Sequence, residues 1–205
     1  LKNLRITLRK LSDDFLTKKL LIIGAGPSGI ELACKIKDLY KNKFEISIIE
    51  RSKEVLSKNK TFNREESEKA LRERNINVLL DTVVEEINEN KVVLKDKYND
   101  RFELDHDLVI WTAGIKPNLP DFKQEIESIN HKVLTNEKLQ LKSYENVFAV
   151  GDIALIQGLE PFPATAQNAM QQGIHVGTNL NLLLQGKTLV DYNFKDNGEM
   201  ISLGI

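Results

Sequence analysis

The apolar run Leu20-Leu21-Ile22-Ile23 leads directly into Gly24-Ala25-Gly26-Pro27-Ser28-Gly29, and a helical pattern opens at Pro27. No other stretch of the chain constrains the fold as tightly. Four apolar residues in a row, with no polar alternation, predict a strand covered on both faces, and such strands belong to parallel sheets. After the turn, Ile30, Ala33, Ile36 and Leu39 recur at helical spacing up to about Tyr40, and Phe44 to Ile49 supplies a second strand that stops at Glu50. Strand, helix and strand at this spacing make a βαβ unit with a right-handed crossover.

The turn fits G-x-G-x-x-G. Gly24 permits a tight turn, Gly26 lets a ligand's phosphates approach the backbone, and Gly29 lets helix and strand pack closely. The free amides at the helix start are suited to a pyrophosphate. Glu50, about 20 residues beyond Gly29 at the end of the second strand, would accept hydrogen bonds from a ribose diol, which favours NADH. Arg51 beside it leaves NADPH open, because an arginine there can receive a 2′-phosphate. The alternative is a tight βα turn with no ligand. The preceding strand, the following helix and the acid together favour a dinucleotide.

The 205 residues carry 29 basic and 30 acidic side chains, a net charge of −1, so no field draws a phosphate backbone and a nucleic-acid partner has no support. Cys34 is the single cysteine, which excludes an internal disulfide and any mechanism needing two thiols of this chain. No run is long and apolar enough to cross a bilayer as a helix. His106, His131 and His175 have no metal-ligand spacing, and Asp105-His106-Asp107 reads as a polar turn before a strand. Leu4, Leu8, Leu11 and Phe15 predict a leading helix with one apolar face. The start at Leu1 and the end at Gly204-Ile205 suggest a piece of something longer.

Further along, 63–74 reads as a charged helix, and Lys53 to Lys60 as a solvated loop. Val78-Leu79-Leu80, Val83-Val84 and Val92-Val93-Leu94 suit a small antiparallel meander with a turn at Asn88 to Asn90. Leu108-Val109-Ile110-Trp111 predicts another buried strand. A proline- and asparagine-rich loop, Pro117 to Pro120, is the best linker candidate. The strand Val147 to Val150 runs into Gly151-Asp152, and a long helix spans about Thr165 to Leu184. The fold class is α/β: a Rossmann-like domain combining a parallel sheet with an antiparallel meander, followed by part of a second α/β domain.

Three motifs extend this reading. Asn146-Val147-Phe148-Ala149-Val150-Gly151-Asp152, together with Val109-Ile110-Trp111-Thr112-Ala113-Gly114, resembles the flavoproteins with two dinucleotide-binding domains. Ala166-Gln167-Asn168-Ala169-Met170-Gln171-Gln172-Gly173 resembles the A-Q-x-A-x-Q-Q-G helix start of the type II NADH dehydrogenases, which are single-subunit NADH:quinone oxidoreductases. The stretch Phe194 to Met200 with Gly204 resembles a late motif of the same family.

That resemblance implies FAD and NADH as cofactors and a quinone as acceptor. For the whole enzyme it implies a peripheral position on the cytoplasmic side of a membrane and a homodimer. Asp152, after Gly151, would bind the ribityl chain of FAD, and Ala113 and Gly114 would lie where the chain returns from the NADH domain to the FAD domain. Ala166 would open the helix under the flavin ring, with Gln167 and Gln171 facing the quinone. Glu31 matches an acid near the nicotinamide and flavin, although an ordinary first-turn helix acid fits as well. On this reading residues 1–114 form the NADH-binding domain with a leading helix. Residues 115–205 form the C-terminal half of the FAD domain, and the family's first glycine turn and its membrane anchor lie outside the chain. A lone cysteine disfavours disulfide reductases and sulfide:quinone reductases. Two rivals stay open: a non-catalytic NAD(H)-binding redox-sensing module, and a related flavoprotein with a different acceptor.

Overall fold

The computed structural model describes residues 2–204, which divide into two compact units. The first contains the chain up to Gly114 and takes in the stretch from Glu199 onward; the second is Ile115–Gly198. Glu199–Gly204 belongs with the first unit, a grouping that differs from the expected 115–205 region.

In the first unit, helix α1 (Lys2–Ser12) precedes β1 (Lys18–Ile23), α2 (Pro27–Tyr40), β2 (Phe44–Ile49), α3 (Thr61–Glu73) and β3 (Asn77–Leu79). The antiparallel strands β4 (Val83–Ile87), β5 (Lys91–Lys95) and β6 (Arg101–Asp105) follow, and β7 (Leu108–Trp111) returns to the main sheet. That sheet is parallel, in the order β3-β2-β1-β7. Side chains alternate across a strand, so Leu20 and Ile22 of β1 enter one core with Ile30, Ala33 and Ile36 of α2 and Ala70 and Leu71 of α3. Leu21 and Ile23 enter another with Val92 and Leu94 of β5. Both faces of β1 are therefore covered, which explains its unbroken apolar run. Cys34 lies fully buried among the aliphatic residues of the first core, and burial pushes its thiol up from its ordinary value.

Four expectations change. Val78 and Leu79 belong to β3 at the edge of the parallel sheet, and the third strand of the meander is β6 instead. The alternation in β6 is carried by Phe102 and Leu104 between charged residues, too short a pattern to stand out. The strand β7 is only half-buried, because among the described residues it pairs with β1 alone at the edge of the sheet, and Trp111 is 58% exposed. Phe15 lies beyond the end of α1 and is fully exposed, while Leu4, Leu8 and Leu11 pack on the core. The loop at 53–60 is not wholly solvated: Val55 and Leu56 are buried, and the Leu56 amide donates to Ala25 O at 3.0 Å.

The second unit holds β8 (Ser128–Ile129), β9 (Lys132–Thr135), β10 (Gln140–Leu141), β11 (Tyr144–Phe148), β12 (Ala154–Ile156) and the long helix α4 (Ala166–Leu184). Its sheet runs β11-β10-β9-β12 with β8 beside β9, antiparallel except for the β9–β12 pair. The expected strand at Val147 to Val150 starts earlier and ends at Phe148. Thr165 caps α4 through its hydroxyl, which accepts from the Asn168 amide at 3.2 Å. No helix among the described residues is long and apolar enough to cross a membrane.

Candidate functional site

The glycine turn sits where β1 ends. The Gly24 amide donates to Ile49 O at 2.8 Å, which ties the turn to the end of β2. Gly24 has φ +106°, a conformation that side chains other than glycine's rarely tolerate, and a Cβ there would stand 3.0 Å from the Ala113 backbone. A Cβ on Gly29 would collide with Gly24 O and stand 2.9 Å from Thr112 Oγ1. These two glycines serve packing. Gly26 differs, because a Cβ there meets nothing within 4 Å. Its bareness leaves open space at the start of α2, where no side chain caps the helix and Pro27 occupies the first turn. A helix start with uncapped amides and the positive end of its dipole fits an anion.

Glu50, one residue past β2, is held by main-chain donors. Its Oε2 accepts from the Ala25 amide at 2.8 Å and its Oε1 from the Ser52 amide at 2.8 Å. Burial would raise its pKa, but those amides, the Ser52 hydroxyl and the Arg51 charge together hold the carboxyl below its ordinary value. Each carboxylate oxygen keeps lone-pair capacity for a further donor such as a ribose hydroxyl. Glu50 therefore does two things: it braces the turn and keeps a charged acceptor beside it. Arg51 is exposed next to it.

Thr112 is a site residue that sequence reasoning missed. It follows β7, and its hydroxyl lies 2.9 Å from Ile23 O and 3.1 Å from Gly24 O, so one O–H is shared between the carbonyls that flank the start of the turn. The only signal was its place before Ala113 and Gly114. The structure brings Ala113 against Gly24 and gives Gly114 a φ of +81°. Glu31 lies one turn into α2, half-buried, and accepts from the Ser202 amide at 2.9 Å.

In the second unit, Gly151 has φ +73° and opens a short 3-10 turn that contains Asp152. The Gly151 amide donates to Gln172 Oε1 at 2.6 Å, and Gln172 is buried, so α4 anchors this turn. Asp152 is exposed, with its carboxylate accessible to a hydroxyl donor. Ala166 is the first residue of α4 and is exposed.

Gln167 and Gln171 share a helix face as their spacing requires, but each amide grips the backbone of an extended segment. Gln171 Nε2 donates to Lys195 O at 2.8 Å, and its Oε1 accepts from the Lys195 amide at 2.9 Å. Gln167 Nε2 donates to Gly198 O at 3.3 Å, and its Oε1 accepts from the Asn197 amide at 3.2 Å. Asn179, two further turns along, makes the same two-sided pair with Val190 at 2.9 and 3.0 Å. His175 Nε2, between them, lies 3.0 Å from Val190 O. Residues at every fourth position of α4 thus hold 190–198 in place of a neighbouring strand. Tyr192 completes the clamp: its hydroxyl donates to Asn168 Oδ1 at 2.8 Å, and its ring meets Phe162 and His175 edge-on.

Residues 3–173 match the pyridine nucleotide-disulphide oxidoreductase family, and the chain belongs to that family. Among curated relatives, it is 33% identical over 192 residues to the demethylphylloquinone reductase NdbB of a Synechocystis species, covering 91% of this chain and 46% of that protein. It is 28% identical to the type II NADH:quinone oxidoreductase of Staphylococcus haemolyticus, covering 90% of this chain and 49% of that one. The chain thus spans about half the length of these relatives. The solved structure of NDH2 from Plasmodium falciparum in complex with NADH shares the fold, with a TM-score of 0.79 at 17% identity, over 97% of this chain and 57% of that one.

Proposed function

We propose that this chain is the NADH-binding part, with a portion of the FAD-binding part, of a type II NADH:quinone oxidoreductase. The observation that carries the reading is the glycine turn: an open, uncapped helix start at Gly26, braced by a Glu50 carboxylate that stays ionised. The names of the relatives, which are quinone reductases, support the acceptor.

FAD, when bound, would supply the two-electron chemistry that links NADH oxidation to quinone reduction. This chain's residues bind and orient. The first-turn amides of α2 would receive the pyrophosphate, Glu50 the adenosine ribose diol, and Ala113 and Gly114 would border the cofactor's path beside Gly24. Glu31 would lie toward the reacting end. Asp152 would accept from the ribityl hydroxyls of FAD, with Gly151 allowing the turn and Ala166 opening the helix beside the ring. Gln167 and Gln171 would shape the quinone side. Their amides are already engaged with the backbone at 195–198, so in this reading they act by holding that segment. Peripheral membrane placement and a homodimer belong to the same proposal; vesicle flotation and sedimentation velocity test them.

The first experiment is the visible absorption spectrum of the protein as its gene encodes it, before and after anaerobic NADH. A flavin spectrum that bleaches supports the proposal. A colourless protein that still binds NADH overturns it in favour of the NAD(H)-binding module. Gln171→Ala in the flavin-loaded enzyme is expected to lower quinone reduction more than NADH affinity, and equal loss of both removes the acceptor-side assignment.

A further inference from the structure

The stretch Glu199–Gly204 is extended, yet it is fastened to the first unit along its length. Glu199 Oε2 accepts from the Lys60 amide at 3.1 Å, at the start of α3, and from the side-chain amides of Asn59 and Asn63 at 3.2 and 3.1 Å. Those donors, the Lys60 amide foremost, hold its carboxyl below the ordinary value. Ile201 and Leu203 pack on the core beneath α2 and α3. Leu203 O accepts from Arg74 Nη2 at 3.0 Å, while the same guanidinium makes a two-pronged pair with Asp38 at 2.7 and 3.0 Å. Gly204 has φ +116°, and a Cβ on it would run into the Asp38 carboxylate and stand 2.6 Å from Arg74 Nη2. Between these anchors the Ser202 amide reaches Glu31 Oε1 at 2.9 Å.

The position of Glu31 makes that bond consequential. It follows Ser28 by three residues and Pro27 by four, so it shares their face of α2. Helical side chains lean toward the N-terminus and cover the preceding turn. An unheld carboxylate there would be drawn to the uncapped amides of the helix start by the same dipole that attracts a phosphate. It would then oppose an incoming pyrophosphate, both by occupying donors and by like charge.

We propose that the main-chain amide of Ser202 is a positioning group that keeps the Glu31 carboxylate off the phosphate-binding end of α2, and that the anchors at Glu199 and Gly204 deliver that amide. The inference rests on the dinucleotide reading of the glycine turn. It assigns the stretch Glu199–Gly204 a role in nucleotide affinity in addition to packing.

The test removes the amide and keeps the rest. Ser202→Pro lacks the N–H, whereas Ser202→Ala retains it and loses only an exposed hydroxyl. Affinities for NADH and for ADP-ribose, which share the pyrophosphate, are measured by titration at low and high salt, with thermal unfolding to verify folding. Ser202→Pro is expected to weaken both ligands by about tenfold at low salt. The loss shrinks to about threefold or less in 0.5 M salt, because a charge repulsion is screened. Ser202→Ala rescues binding to within about twofold of the parent. In a Glu31→Gln background, Ser202→Pro adds no further loss. Gly204→Val, which lifts this stretch from Asp38 and Arg74, gives the same salt-sensitive, Glu31-dependent weakening. A Ser202→Pro or Gly204→Val loss that persists in high salt or in the Glu31→Gln background overturns the proposal, as does unchanged affinity in both. If the parent chain binds neither ligand, the dinucleotide reading itself fails and the proposal falls with it.

Discussion

The glycine turn of the first unit and the clamped segment of the second are both built from hydrogen bonds to main-chain groups, but in opposite senses. At the turn, backbone conformation is primary. Gly24 and Gly29 lack side chains because β7's extension and the turn's own carbonyl fill the space, and Gly26 lacks one where space is left open. One carboxylate, Glu50, then braces the arrangement. At 190–198 the side chains are primary: amides on α4 supply the donors and acceptors that a neighbouring strand would otherwise provide. The first kind of site depends on what cannot be added. The second depends on what cannot be removed.

That contrast can be broken by substitution. The largest effect is expected at Gly29: Gly29→Val drives a side chain into Gly24 O and should destabilise the first unit by about 3–5 kcal/mol, read by denaturant unfolding. Gly26→Ala is its counterpart. It should leave stability within about 1 kcal/mol yet lower NADH affinity at least about tenfold, because the added methyl fills the open space that the proposed function gives to the pyrophosphate. A Gly26→Ala protein that binds NADH as the parent does would show that the open space is not the phosphate site.

In the second unit, Asn179→Leu removes a fully buried two-sided amide pair and leaves the Val190 N–H and C=O without it, at an expected cost of about 2–3 kcal/mol in thermal or denaturant unfolding. Gln171→Ala removes a more exposed pair and should cost about 1–2 kcal/mol, with limited proteolysis appearing near Lys195. If 190–198 resists protease equally in both variants, the side-chain ladder is not what holds it.

The smallest effect concerns acid. Glu50 has a folded pKa below its ordinary value of 4.5, so its contribution is fully present above that value and is lost as pH falls through the lower folded pKa. Glu50→Gln should therefore flatten the acid limb of the stability curve while leaving its neutral limb parallel to the parent's. An unchanged acid limb would mean that the Ala25 and Ser52 amides do not favour the ionised form.

Legibility followed the same division. The β1–turn–α2–β2 unit, with Glu50 at its end, could be read from residues alone, because a strand buried on both faces and a glycine-dependent turn each demand particular residues at particular places. The meander is half legible: β4 and β5 show their apolar pattern, while β3 has the same pattern and pairs with β2 instead. Three apolar residues look the same whether they pair with β2 in parallel or with β4 antiparallel. The spacing of Phe15 continues the helical face of Leu4, Leu8 and Leu11, yet the helix ends at Ser12, where Asp13 and Asp14 follow. Gln167 and Gln171 were legible as a pair on one face, but their partners at 195–198 lie 24 to 31 residues away, and no local spacing encodes them.

Sequence by itself determined the βαβ core, the glycine turn that opens α2 and the family motifs along the chain, since these depend on backbone sterics and on periodicity within a few residues. Tertiary structure alone decided that Thr112 closes over the turn, that Glu50 braces it through Ala25, that Ser202 reaches Glu31, and that α4 holds a distant segment in place of a strand. Each of these is a hydrogen bond between groups far apart in the chain, and such bonds form only once packing has brought the groups within about 3 Å and removed the water that would otherwise satisfy them.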